Sequence, residues 1–122
     1  MVTSTTPPKL DYQRILEEAH AAARAAVENA EDRWACGFAW VTVDGNSGLA
    51  RWCRAAAKGS QFTPGHLRRR FYGDKGYPKG HQWWCPGEFP GQSVDAHELG
   101  ARAFREKLAE YGIRADFNSR LD

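Results

Sequence analysis

The sequence predicts an α+β domain: a small sheet of three or four strands, three helices packed mainly on one face, and a long Gly/Trp-rich loop or hairpin. Three observations carry this. Cys36–Val43 is aromatic, β-branched and free of charge, and it ends in the turn signal Asp44-Gly45. Two long segments, one from Asp11 and one from Asp95, repeat apolar residues at helical spacing. Near the end, Ile113, Ala115 and Phe117 alternate with polar residues, as a half-buried strand does.

The elements follow in order. Residues 1–9 are polar and carry Pro7-Pro8, which reads as a flexible leader before a single domain over 10–122. Asp11 is placed to cap a helix over Asp11–Ala30, with Tyr12, Ile15, Leu16, Ala19, Ala22, Ala23, Ala26 and Val27 on its apolar side. The alanines permit close approach to a sheet or another helix. His20, with no second ligand one turn on, reads as a surface residue.

In the strand Cys36–Val43, Phe38 and Trp40 share one face, while Gly37, Ala39, Val41 and Val43 share the other. Both faces are apolar, which predicts cover on both sides. After the turn, Leu49, Trp52, Cys53, Ala56 and Ala57 predict a short helix closed by Gly59, with Arg51, Arg54 and Lys58 off its apolar stripe. From Ser60 to Gly91 periodicity fades, and segments of this kind are usually functional. Two extended pieces, Leu67–Tyr72 and Gln82–Cys85, are placed to pair as a hairpin. Ser93 and Asp95 start the last helix, with Asp95 and Glu98 in capping-box spacing, and it runs over Asp95–Tyr111 until Gly112 ends it.

Charge is distributed unevenly. The net charge is +2, yet Arg51 to His81 holds eight bases and one acid, so +7 there leaves −5 elsewhere. One anion-facing surface and one acidic surface are expected. No apolar run approaches the roughly 18 residues that span a bilayer. With three cysteines, no C-x-x-C pair and no apolar signal region, the expected setting is a reducing cytoplasm.

The strongest local signal runs from Arg68 to Trp84. Arg forks bind phosphates, aromatic faces stack on bases, and glycines let main-chain N–H groups approach an anion. Arg68, Arg69, Arg70, Tyr72, Lys75, Tyr77, Lys79, His81 and Trp83, with Arg51 and Arg54 on the preceding helix, are the candidate ligand- or partner-binding residues. Three readings stay open. The segment engages an acidic protein surface, since Trp, Tyr and Arg dominate interfaces. It takes a nucleotide or single-stranded nucleic acid. Or its aromatics fill a core and its bases are merely solvated. No phosphate-loop pattern occurs.

Other chemistries are weaker. Cys36, Cys53, Cys85 and His81 lack the close pairs zinc usually takes and read as buried thiols and a lone histidine. Cys85 or Cys53 as a nucleophile would need an electropositive, partly open setting. Asp44, Asp74, Glu88, Asp95, His97 and Glu98 could form a carboxylate site, but Asp95 and Glu98 already serve a helix start. No cofactor or metal is implied.

The combination Cys36-Gly37-Phe38-Ala39-Trp40-Val41, Gly48–Arg51, the Gly/Trp-rich middle and Gly112-Ile113 with the ending Ser119-Arg120-Leu121-Asp122 resembles small uncharacterised accessory proteins of tailed bacteriophages, from about Trp34 onward. The resemblance implies a protein acting in the bacterial cytoplasm and favours a binder or inhibitor over a metabolic enzyme. It supplies no catalytic residues. The expected function is an accessory protein that engages a host protein or nucleoprotein through its basic aromatic segment, such as a counter-defence inhibitor. The alternative is a nucleotide-binding protein, a sponge or hydrolase for a signalling nucleotide. Self-association through the first helix stays open.

Overall fold

A computed structural model describes residues 10–33, 35–76 and 79–121. The leader, Trp34, Tyr77 and Pro78 lie outside the described residues. Helices and strands follow as α1 (Tyr12–Val27), β1 (Gly37–Asp44), α2 (Gly48–Gly59), α3 (Gly65–Tyr72), β2 (Asp74–Lys75), β3 (Gly80–Trp84), α4 (Val94–Glu110) and β4 (Asp116–Leu121). The sheet order is β2-β3-β1-β4, antiparallel throughout. β1 and β2 therefore run parallel with β3 between them, and β3 and β4 run parallel with β1 between them. These are two interleaved βαβ units, the split-βαβ arrangement. The α+β prediction holds, with four helices in place of three. No described helix is long and apolar enough to cross a membrane.

β1 is central, as its sequence predicts. Ala39, Val41 and Val43 are fully or almost fully buried under the helices. Trp83 and His81 of β3 stand beside Val41 and Val43 on that same face. Gly37 is needed there because an added Cβ would run into Val94 of α4 and the main chain of Arg120. The other face departs from prediction. Phe38 and Trp40 are only half-buried, and they are covered by Trp84 rather than by a helix. All the buried strand residues lie on the helix side, so the sheet is one-sided.

α1 lies along α4, and its fully buried Ala19 and Ala23 join Ala101 and Phe104 in one core. Ser47 caps α2 by accepting from the Ala50 N–H, and Gly59 is its last residue rather than a residue beyond it. Of the two residues expected to start α4, Ser93 is the cap, and Asp32 accepts from the Gln92 and Ser93 N–H groups just ahead of it. Asp95 instead sits in the first turn, where its charge suits the helix dipole. The final alternation is correctly phased, with Ile113, Ala115 and Phe117 against the core, but pairing with β1 starts only at Asp116.

Candidate functional site

The main correction lies at Leu67–Tyr72. This piece is not a strand but the basic helix α3, and the hairpin partner of β3 is the two-residue β2. α3 has no side-chain N-cap and buries no residue fully. Its C-terminal end is held from outside instead. The Phe71 carbonyl accepts from His20 Nε2 (2.9 Å) and Trp83 Nε1 (3.0 Å). The Tyr72 carbonyl accepts from His81 Nε2 (2.6 Å). Helix ends leave such carbonyls unpaired, and here three side chains from α1 and β3 satisfy them. Periodicity in one short segment cannot report partners that lie in two other elements.

His20, expected at the surface, is therefore buried, stacked on Phe71 and edge-on to Phe104. Burial pushes the pKa of both His20 and His81 down, against a smaller upward pull from the carbonyl each contacts. Both are held neutral with the proton on Nε2. The unfolded chain binds protons near the ordinary histidine value of 6.5 while the fold resists them. Stability is then full above that value and falls as pH drops below it, until the depressed folded values are reached. Urea unfolding at stepped pH between 7 and 5 is expected to show this loss, and His20→Gln with His81→Gln to flatten it. An unchanged slope in the double variant would place the acid sensitivity elsewhere.

Pinning α3 brings the bases together. An open cleft of about 860 Å³ lies between α2, α3 and the β2–β3 hairpin. Arg54 and Lys58 line it from α2, Arg68 and Arg69 from α3, and Lys75 and Lys79 from the hairpin. His81 and Cys53 also contribute, and Asp74 is its one acid. Arg69 reaches Asp74 only at 4.0 Å. Arg68 is committed to the loop before its own helix, donating to the carbonyls of Ser60, Gln61 and Thr63. Arg54, Lys58, Lys75 and Lys79 form no ion pair among the described residues. Like charges facing one concave space raise its potential and draw anions. A second cleft of about 750 Å³, at the start of α1 and the approach to β4, mixes Asp44 and Asp116 with Lys79 and Arg114 and concentrates neither sign.

The structure divides the residues singled out in the sequence. Arg54, Arg68, Arg69, Lys75 and Lys79 meet at the cleft, with His81 in its wall. Arg51 is exposed on α2 and does not line it. Arg70 pairs with Glu88 at 2.5 Å and is likewise absent from the cleft wall. Tyr72 packs on Trp52 and Phe71, with its hydroxyl 3.3 Å from Ser60 Oγ. Trp83 is 1% exposed and belongs to the core, while His81, 4% exposed, holds the α3 end from the cleft wall. Tyr77 lies outside the described residues. Lys58 was not among the candidates, although its place on the same helix as Arg54, one turn on, was the available signal.

A second surface was not anticipated. On the open sheet face, Trp40 and Trp84 are direct cross-strand partners, stacked at 5.2 Å and 13°. Phe38 lies against the Trp84 ring at 5.3 Å, and the Arg120 guanidinium lies 6.0 Å from the Phe38 ring. Trp84 remains 48% exposed. Adjacent strand residues point to opposite faces, so only one of Trp83 and Trp84 could enter the core. Sequence could not say which.

Two of the three thiols are poorly suited to attack. Cys36, Cys53 and Cys85 are free, and burial pushes the Cys53 thiol up to about 12 and the Cys85 thiol upward. No metal-holding group of histidine, cysteine or carboxylate side chains occurs among the described residues. What the assembled cleft offers is fixed positive charge and N–H donors, which is anion-binding chemistry. The chain matches no protein-family model, no curated protein and no solved structure.

Proposed function

We propose that this chain is a binding protein that holds a phosphate-bearing ligand, a nucleotide or a nucleic-acid backbone, in the cleft between α2, α3 and the β2–β3 hairpin. One observation carries this reading: six bases and a single acid line one concave space of about 860 Å³. That volume is of ligand-site size, whereas protein partners usually meet flatter and larger surfaces. The tryptophan expected to stack on bases is buried, so affinity rests on charge and should depend strongly on salt. About four phosphate contacts would give a slope near −3 in log K against log salt for a single strand.

The test is fluorescence anisotropy with a labelled single-stranded oligonucleotide, alongside melting shifts with nucleoside triphosphates. Lys58→Glu with Lys79→Glu changes two exposed side chains and is expected to weaken binding at least about tenfold and flatten the salt slope. Equal affinity of this variant and the parent, or no binding by the parent, would end the proposal. A second reading, an accessory phage protein docking on a host protein, has support in the sequence resemblance and in exposed Trp84 beside Phe38. In that case Trp84→Ala removes capture of the host protein, and the cleft variant leaves it intact.

A further inference from the structure

We infer that the free edge of β4 is a self-association surface, through which two copies of this chain join their sheets antiparallel about a two-fold axis. The two edges of the sheet are built differently. β2 is two residues long, which leaves little to pair with. β4 runs six residues against β1 with no bulge, from Thr42↔Asp116 to Gly37↔Leu121. It has neither proline nor lysine to blunt it.

Its outward groups can be assigned. The Cys85 N–H donates to the Ala39 carbonyl, and the Gly45 N–H to the Lys79 carbonyl. Antiparallel ladders alternate, so odd-numbered β1 residues bond to β3 and even-numbered ones to β4. Asp116, Asn118 and Arg120, which stand opposite Thr42, Trp40 and Phe38, turn their main-chain groups to β1. Phe117, Ser119 and Leu121 turn theirs outward. Among the described residues no main-chain bond outside the sheet is made to them.

The side chains choose the occupant. A two-fold pairing centred on Asn118 sets Asp116 opposite Arg120 of the second copy, and Arg120 opposite its Asp116. Both pairs fall on the open face, and both partners are exposed. Phe117 then faces Ser119 of the second copy, and the reverse, each exchanging both main-chain bonds. Moving the centre to Phe117 sets Asp116 against Asn118 and leaves Arg120 with no strand residue opposite. Moving it to Ser119 sets Arg120 against Asn118 and leaves Asp116 with no strand residue opposite. Opposite charges across a ladder stabilise and like charges destabilise, so one register is favoured. An isologous interface needs this self-complementarity. Pairing would also place the two Phe38–Trp84–Trp40 ladders on one continuous face, about 14 Å apart across three strand spacings.

Sedimentation velocity of the full chain over a concentration series tests this. The parent is expected to form a concentration-dependent dimer. Asp116→Arg or Arg120→Asp alone is expected to weaken it about tenfold or more, by setting like charges face to face. The double swap is expected to restore it, because each pair re-forms with its signs exchanged. Ser119→Pro, which removes an outward N–H, is expected to give monomer, with circular dichroism confirming that the fold is retained. A parent that stays monomeric at its solubility limit overturns the inference. So does a dimer indifferent to the single changes, or a double swap no better than either one.

Discussion

Trp83→Ala is expected to be the most damaging substitution in this chain. The indole is almost wholly buried, packs on Phe104 and His81, and donates to the Phe71 carbonyl. Truncating a buried tryptophan costs about 3–5 kcal/mol, the lost transfer energy plus the cavity left behind. Here the Phe71 carbonyl also loses one of its two donors. Against a total stability of about 5–15 kcal/mol, that brings the domain close to unfolding. Trp83→Phe keeps most of the volume and loses the N–H, so a cost nearer 1–2 kcal/mol is expected. Trp84→Ala removes a half-exposed ring from the open face and should cost about 1 kcal/mol. Urea denaturation followed by circular dichroism separates the three. Equal losses for the two alanine variants would contradict the assignment of Trp83 to the core.

Gly73→Ala is expected to come second, and to strike stability and ligand binding together. Gly73 joins α3 to β2 at φ 79° and ψ −176°, a region almost confined to glycine. Placing another residue there costs about 1–3 kcal/mol in backbone strain. An added Cβ would also lie 2.7 Å from the Gln82 carbonyl oxygen and 2.7 Å from His81 Nε2. The carbonyl belongs to a paired strand and cannot move aside cheaply, so the total should exceed the strain alone. Because this joint sets α3 against the hairpin, the cleft should open and phosphate affinity should fall even where the fold survives. Gly59→Ala is the control: an added Cβ there meets nothing within 4 Å, in a helix where alanine is favoured. If Gly73→Ala matched that control in melting temperature and affinity, the tight joint would not be what shapes the cleft.

Much of the fold is legible in the residues themselves. The apolar spacing of α1 and α4 repeats over several turns, so each helix declares itself without its partners. β1 is legible because its β-branched and aromatic residues lie in one unbroken run between Cys36 and Asp44. The concentration of bases from Arg51 onward is legible as charge alone, and six of its eight bases line one cleft. α3 was not legible. Gly-His-Leu-Arg-Arg-Arg-Phe-Tyr has little periodicity, and its helix is held by His20 on α1 and by Trp83 and His81 on β3. The same contacts draw those aromatics out of the basic segment and into the core, so the expected mixed surface separates into a basic cleft and an aromatic sheet face.

By itself the sequence determined the α+β class, the two long helices, the central strand and the region where positive charge gathers. Each of these is a local property of pattern or composition. Only the tertiary structure decided the strand order, the helical state of residues 65–72, which face of the sheet stays open, and which of two adjacent tryptophans is buried. The reason is physical. A residue's spacing fixes which neighbours share its face, but the element that covers that face, or accepts its hydrogen bond, is chosen by packing across the whole chain.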